Sequence, residues 1–169
     1  VDVETHNETI YNKNNNNFAK RIEHVVEQCQ RVANTVKTTL QEGFFPIVLS
    51  GDHSSALGTM SGIKAASPEK RLGVIWIDAH ADLHSPFTSP SGNIHGMPLA
   101  AAIWDDNLEC KINEPGATTE LHWDNMKNIG IPAQKIKTDD LVYFGLRDFE
   151  SAEAHLIKKA NIKSYKVEE

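Results

Sequence analysis

Residues Leu72-Gly73-Val74-Ile75-Trp76-Ile77 form a short, uncharged, β-rich run that stops on Asp78-Ala79-His80-Ala81-Asp82. An apolar run of this length, bounded by polar residues, reads as a strand buried on both faces of a sheet. Three metal-capable side chains at its carboxyl end place chemistry at the sheet edge where α/β proteins bind ligands. Alternate residues of extended backbone point to one side, so Asp78, His80 and Asp82 are expected to converge. Two carboxylates and an imidazole gathered at one point need a cation among them. A solvated strand end with an incidental histidine is the competing explanation. The expected burial of the strand and the period-two spacing of all three groups speak against it.

The rest of the chain repeats the alternation of strand and helix. Phe18, Ile22, Val25, Val26, Cys29, Val32, Ala33, Val36 and Leu40 recur at helical spacing, and Gly43 follows as a stop signal. Phe45 to Leu49 reads as a strand that ends in Ser50-Gly51-Asp52-His53. A second helix is expected over Ser55 to Ala66, closed by Ser67-Pro68. After a Ser/Pro/Gly-rich loop from His84 to Gly96, a helical stretch covers Met97 to Ile103. Residues 105–140 are weakly patterned, with one short helix expected near Leu121 to Ile129. The apolar run Leu141 to Leu146 ends in Arg147-Asp148, and a helix over Ser151 to Ala160 and a strand over Ile162 to Val167 complete the pattern. Val1-Asp2-Val3 also reads as a strand, and Asn14 to Asn17 as an exposed turn. Such alternation predicts an α/β fold with a mostly parallel sheet. Asp52-His53, Asp78 to Asp82 and Arg147-Asp148 are then expected to face one crevice.

Composition narrows the function classes. Length is that of one ordinary domain, and 40% hydrophobic residues suffice for a core. The net charge of −6, with no basic cluster, disfavours a nucleic-acid groove. No apolar run approaches transmembrane length and no signal peptide is visible, so a cytoplasmic location is expected. Cys29 and Cys110 lack metal or redox spacing, and Cys29 reads as a small core residue.

His53, at the end of the preceding strand, is the natural fourth ligand beside Asp78, His80 and Asp82. Nitrogen and carboxylate oxygen without thiolate are compatible with Mn²⁺ and also admit Zn²⁺, Fe²⁺ or Co²⁺. Carboxylates can bridge two ions in a hydrolytic centre, although four protein ligands satisfy one ion more readily than two. His84 and His95 lie on the following loop, where a histidine is suited to proton transfer. An exposed loop histidine is the plain alternative. His6, His24, His122 and His155 have no such context and read as surface residues.

Three ordered segments resemble the arginase branch of the ureohydrolases: Ser50-Gly51-Asp52-His53-Ser54, Asp78-Ala79-His80-Ala81-Asp82 and Ser91-Gly92-Asn93-Ile94-His95-Gly96-Met97-Pro98. Gly145-Leu146-Arg147-Asp148 is similar to a further segment of that family. The resemblance implies a three-layer α-β-α fold and a binuclear manganese centre, two Mn²⁺ per complete site. It implies that His53 and Asp82 bind one ion, His80 the other, and that Asp78 bridges both. His95 would move protons, including to the leaving amino group. Ser91 and Asn93, with Ser89, would contact the substrate α-carboxylate. Glu150 and Glu153 would lie near its α-amino group, with Glu150 standing where many arginases have Asp. His84 stands where an Asn is expected. The implied activity is hydrolysis of L-arginine to L-ornithine and urea through a metal-bridging hydroxide. The implied partner is a small cationic amino acid, with no nucleic acid, no membrane and a homo-oligomer admitted.

The family's later Asp-x-Asp metal motif has no counterpart; Asp105-Asp106 and Asp139-Asp140 are adjacent pairs in polar segments. Residues 1–169 are therefore expected to form one arginase-like domain lacking the first strand and the C-terminal metal-motif segment, the central part of a protein about twice as long. The competing functions are agmatinase or another guanidino-compound hydrolase, a mononuclear deacetylase, and a catalytically silent metal-binding or assembly module. The Ser-Gly-Asn-x-His-Gly loop argues against the deacetylase.

Overall fold

The computed structural model describes residues 1–5, 7, 11–14 and 16–166. His6, Asn15 and Val167, on which sequence expectations fall, lie outside them. The elements run α1 (Ile22–Gln41), α2 (Ser55–Ala66), β1 (Val74–Ile77), α3 (Pro98–Ile103), α4 (Ala117–Asn128), β2 (Leu141–Phe144), α5 (Ser151–Lys159) and β3 (Lys163–Tyr165). The three strands form a parallel sheet in the order β1-β2-β3. Val74 pairs with Leu141 and Trp76 with Tyr143; Tyr143 pairs in turn with Ser164. This is the expected α/β alternation with a parallel sheet.

Each helix follows from its residues. In α1, Ile22, Cys29, Val32, Ala33 and Val36 are buried, one stripe at helical spacing. Cys29 is a core residue, as expected, and burial pushes its thiol up to about 12. The helix begins at Ile22 rather than Phe18. Asn16 Oδ1 accepts the N–H groups of Phe18 and Ala19, and Arg21 adopts a left-handed φ of 58°. An Asx-type turn thus competes with the first helical turn and wins. Gly43 ends the helix at φ 84°, its N–H donating to Leu40 O and that of Phe44 to Thr39 O. The expected helix near Leu121 to Ile129 is α4, which starts four residues earlier at Ala117.

Two expected strands are not formed. Phe45 to Leu49 is irregular and largely exposed, with Phe45 at 87%, Ile47 at 80% and Leu49 at 93%. Val1 to Val3 is likewise irregular. β-rich composition makes a strand only where a neighbouring strand completes the ladder, and neither segment has one among the described residues.

The strands are also not buried on both faces. Leu141, Tyr143 and Trp76 pack into a single core with Leu83, Leu99, Trp123 and Leu156. Opposite them, Ile75 is 66% and Ile77 80% exposed, and Phe144 and Tyr165 stack with ring centroids 5.1 Å apart on the same open face. The free edge of β1 adjoins this face. No described helix is long and apolar enough to cross a membrane.

Candidate metal centre

The turn before α2 and the loops after β1 and β2 bring the singled-out side chains together. His53 Nδ1 lies 2.9 Å from Asp78 Oδ2 and 2.9 Å from Asp82 Oδ2. His53, Asp78 and Asp82 thus present one ligand atom each around a common point. His80 stands on the other side of Asp78, its Nδ1 3.4 Å from Asp78 Oδ1 and its Nε2 3.7 Å from Asp148 Oδ2. The two oxygens of Asp78 therefore face different imidazoles.

The convergence does not come from extended alternation, as the spacing predicts. Strand β1 ends at Ile77, and residues 78–80 bend. Asp78 Oδ1 accepts the His80 N–H at 3.1 Å, and Asp82 adopts a left-handed φ of 52°. That turn folds Asp82 back beside Asp78. His80 is left outward and half exposed. The loop is pinned by Asp78 N–H to Phe144 O, and by Arg147 and Asp148 N–H to Ala79 O at 2.9 Å each. Hence Gly145-Leu146-Arg147-Asp148 supports the ligand loop through its backbone.

These donors fit a cation. Asp82 is 4% exposed, and its Oδ2 is buried without a hydrogen bond of acceptable geometry. A single imidazole N–H cannot serve both carboxylates, so one buried oxygen stays unmatched, and unmatched buried charge is costly. Burial, reinforced by the charges of Asp78 and Glu153, pushes the Asp82 carboxyl up to about 7. A divalent ion at the common point would satisfy both oxygens together. Trp76 of β1 stacks on His53, with centroids 4.4 Å apart, and steadies the ring.

The other predicted residues form the rim. His95 is exposed, with Nδ1 3.8 Å from Asp52 Oδ2; Asp52 Oδ1 in turn accepts the Ser54 N–H at 2.7 Å. Ser89 is buried, its Oγ accepting the Gly92 N–H, and Ser91 Oγ accepts the Asn93 N–H. Lys20 Nζ donates to Asn93 Oδ1 at 3.0 Å. Gly92 has φ 69°, and a Cβ there would lie 1.9 Å from Asn17 O. Asn17 is therefore packed against the Ser91 to Gly96 loop, so the glycine is required twice over.

His84, Glu150 and Glu153 make a second group. His84 is buried, with Nε2 2.9 Å from Glu150 Oε2 and 3.5 Å from Glu153 Oε2, and Nδ1 3.1 Å from Thr88 Oγ1. Glu150 and Glu153 form the capping box of α5. Both oxygens of buried Glu153 accept backbone N–H groups, from Leu83 and Glu150, at 3.0 Å. Burial pushes the Glu153 carboxyl up, whereas hydrogen bonds from Glu153 and His84 hold Glu150 down. The Glu153 contacts join α5 to the ligand loop only through tertiary packing. No local pattern announces them. Asp148 and Asp52, adjoining their motifs, were legible as neighbours of the crevice but not as partners of His80 and His95.

An Arginase family model matches residues 2–169. The arginase of Brevibacillus brevis is 41% identical over 150 residues, covering 89% of this chain and 44% of that protein. The crystal structure of arginase from Bacillus cereus superposes with a TM-score of 0.75 at 34% identity, over 91% of this chain and 47% of the other. Arginase from Entamoeba histolytica, solved in complex with L-ornithine, gives a TM-score of 0.70 at 28% identity, over 91% and 47%. The chain spans about half the length of the relatives it matches. With the family model covering nearly every residue, the chain belongs to the arginase family.

Proposed function

We propose that the protein containing this chain hydrolyses L-arginine to L-ornithine and urea. One observation carries the reading: an arginase-family chain gathers His53, Asp78 and Asp82 around one point, with His80 on the second oxygen of Asp78. Those four side chains would hold the metal, His53 and Asp82 on one ion, His80 on another, and Asp78 between them. The ions, Mn²⁺ by resemblance, supply when bound an activated water and stabilise developing charge. His95, exposed on the rim, takes and returns protons. Ser89, Ser91 and Asn93 would orient the substrate carboxylate. His84, Glu150 and Glu153 would set the distance to the α-ammonium group, which fixes the guanidinium carbon over the metal point. The ornithine-bound relative supports this substrate class.

The test is product release by Mn²⁺-loaded protein offered L-arginine, agmatine or 4-guanidinobutyrate. Urea from L-arginine in preference to the other two is the expected result. Preference for agmatine would reassign the substrate. A second reading, a metal-binding module without turnover, is favoured by the donor set of this chain, which surrounds one point more fully than two. Two ions bound per chain support the hydrolase, whereas one ion and no urea support the module.

A further inference from the structure

We propose that Tyr143 and Glu153 are positioning residues that together hold Asp82 in its ligand geometry. This rests on the metal reading of the His53, Asp78 and Asp82 cluster.

Asp82 has a left-handed backbone, φ 52°. For a residue with a Cβ that conformation is strained and persists only where surrounding contacts over-determine it. The orientation of a residue about φ and ψ is set by the two peptide planes on either side of its Cα, and both are anchored here. On the first plane, the Tyr143 hydroxyl donates to Ala81 O at 2.6 Å. Tyr143 is 0% exposed, on the central strand β2. Its hydroxyl lacks water to exchange with, and burial, with the charges of Glu153, Asp82 and Asp78, raises its pKa well above the ordinary phenol value. It remains a donor. On the second plane, Glu153 Oε1 accepts the Leu83 N–H at 3.0 Å, and Asp82 O accepts the Leu99 N–H at 3.1 Å.

Neither side chain is among the three gathered at the metal point. Each sets a peptide plane beside Asp82. Without the Tyr143 anchor, the first plane is free to rotate toward negative φ, and the Asp82 carboxylate swings from the Asp78 and His53 atoms it meets at the common point. The register ties the parts together. Tyr143 pairs across the sheet with Trp76, which stacks on His53. The β1–β2 pair thus steadies two ligands from one layer of the core.

The experiment is titration of the protein with Mn²⁺ alone, followed by the electron paramagnetic resonance of free Mn²⁺. Unaltered protein is compared with Tyr143→Phe and Glu153→Gln. Phe keeps the ring and removes one donor; Gln keeps one acceptor oxygen and puts an amide NH₂ against the other N–H. Gly62→Ala, which crowds α2 against Ala33 and Val36 of α1 and touches neither peptide plane beside Asp82, is the reference for general destabilisation. Each positioning variant is expected to weaken Mn²⁺ binding at least about tenfold, with Gly62→Ala unchanged. Equal affinity in Tyr143→Phe and unaltered protein overturns the proposal, as does an equal loss in Gly62→Ala. Absence of Mn²⁺ uptake by unaltered protein overturns the metal reading, and the proposal with it. If neither variant folds, hydrogen exchange at the Leu83 amide of the unaltered protein decides. Protection comparable to the β2 amides supports the clamp, and exchange at the rate of an open loop overturns it.

Discussion

Asp82 is a carboxylate that burial holds protonated up to about pH 7 when no cation balances it. Its sign in stability follows from linkage. The folded value lies above the unfolded one of 3.8, so the native state binds the extra proton. Its contribution is complete below about pH 4 and is lost as pH rises through 7. Metal-free protein should therefore lose up to about 4 kcal/mol between pH 4 and pH 7.5 from this group. Urea midpoints across that range measure it, and Asp82→Asn should flatten the slope. Saturating Mn²⁺ should abolish the loss, because the ion replaces the proton. At Asp78 the two oxygens face different imidazoles, so if the proposed two-ion site holds, Asp78→Ala in the intact protein should remove tight binding of both ions, whereas His80→Ala should spare the ion assigned to His53. Elemental analysis after gel filtration separates these outcomes; loss of the same single ion in both variants would refute the bridging role. His95→Ala should lower turnover with metal content intact, and metal loss there would make His95 a ligand.

At the scale of elements, α1 and α2 pack backbone against backbone. A Cβ on Gly58 would lie 2.6 Å from Cys29 O, and one on Gly62 would lie 2.5 Å from Ala33 O. Alanine normally favours a helix over glycine by about 1 kcal/mol. Forcing packed backbones apart costs about 1–3 kcal/mol, so overpacking wins. Gly62→Ala should lower stability by up to about 2 kcal/mol net, read as a fall in the urea midpoint with unchanged slope. The apolar stripe of α1, its glycine stop and the span of α2 were all legible in the sequence, because each is a local periodic signal. Apart from α4, residues 105–140 were not. They are ordered by a buried polar network in which Asp106 accepts from Trp123 Nε1 and Lys127 Nζ. Lys135 Nζ donates to the carbonyls of Lys127, Ile131 and Ala133. Such bonds join residues without periodicity, so hydrophobic pattern is blind to them.

At the scale of the whole molecule, the free edge of β1 and the exposed segment from Phe45 to Leu49 leave Phe45, Ile47, Leu49, Ile75 and Ile77 open. An unpaired apolar edge is a template for further strand pairing. The 169-residue chain alone should self-associate at micromolar concentration, and Ile77→Lys should reduce this, as read by light scattering. Unchanged scattering in that variant would place the association elsewhere. Phe45 to Leu49 has a strand's composition and yet no ladder, since β-propensity reports the fit to a neighbour and no strand among the described residues pairs with it.

By itself the sequence determined the alternation of strand and helix, the parallel class of sheet, and the residues that gather at the candidate site. These depend on local periodicity and on the chemistry of short motifs, both carried along the chain. Only the tertiary structure decided how Asp82 turns back on Asp78, that His80 takes the other oxygen, and that Tyr143 and Glu153 stand behind the loop. Those outcomes depend on peptide planes fixed by residues 62 and 70 positions away. It also decided which strand-like segments become strands, because a β ladder forms between two partners.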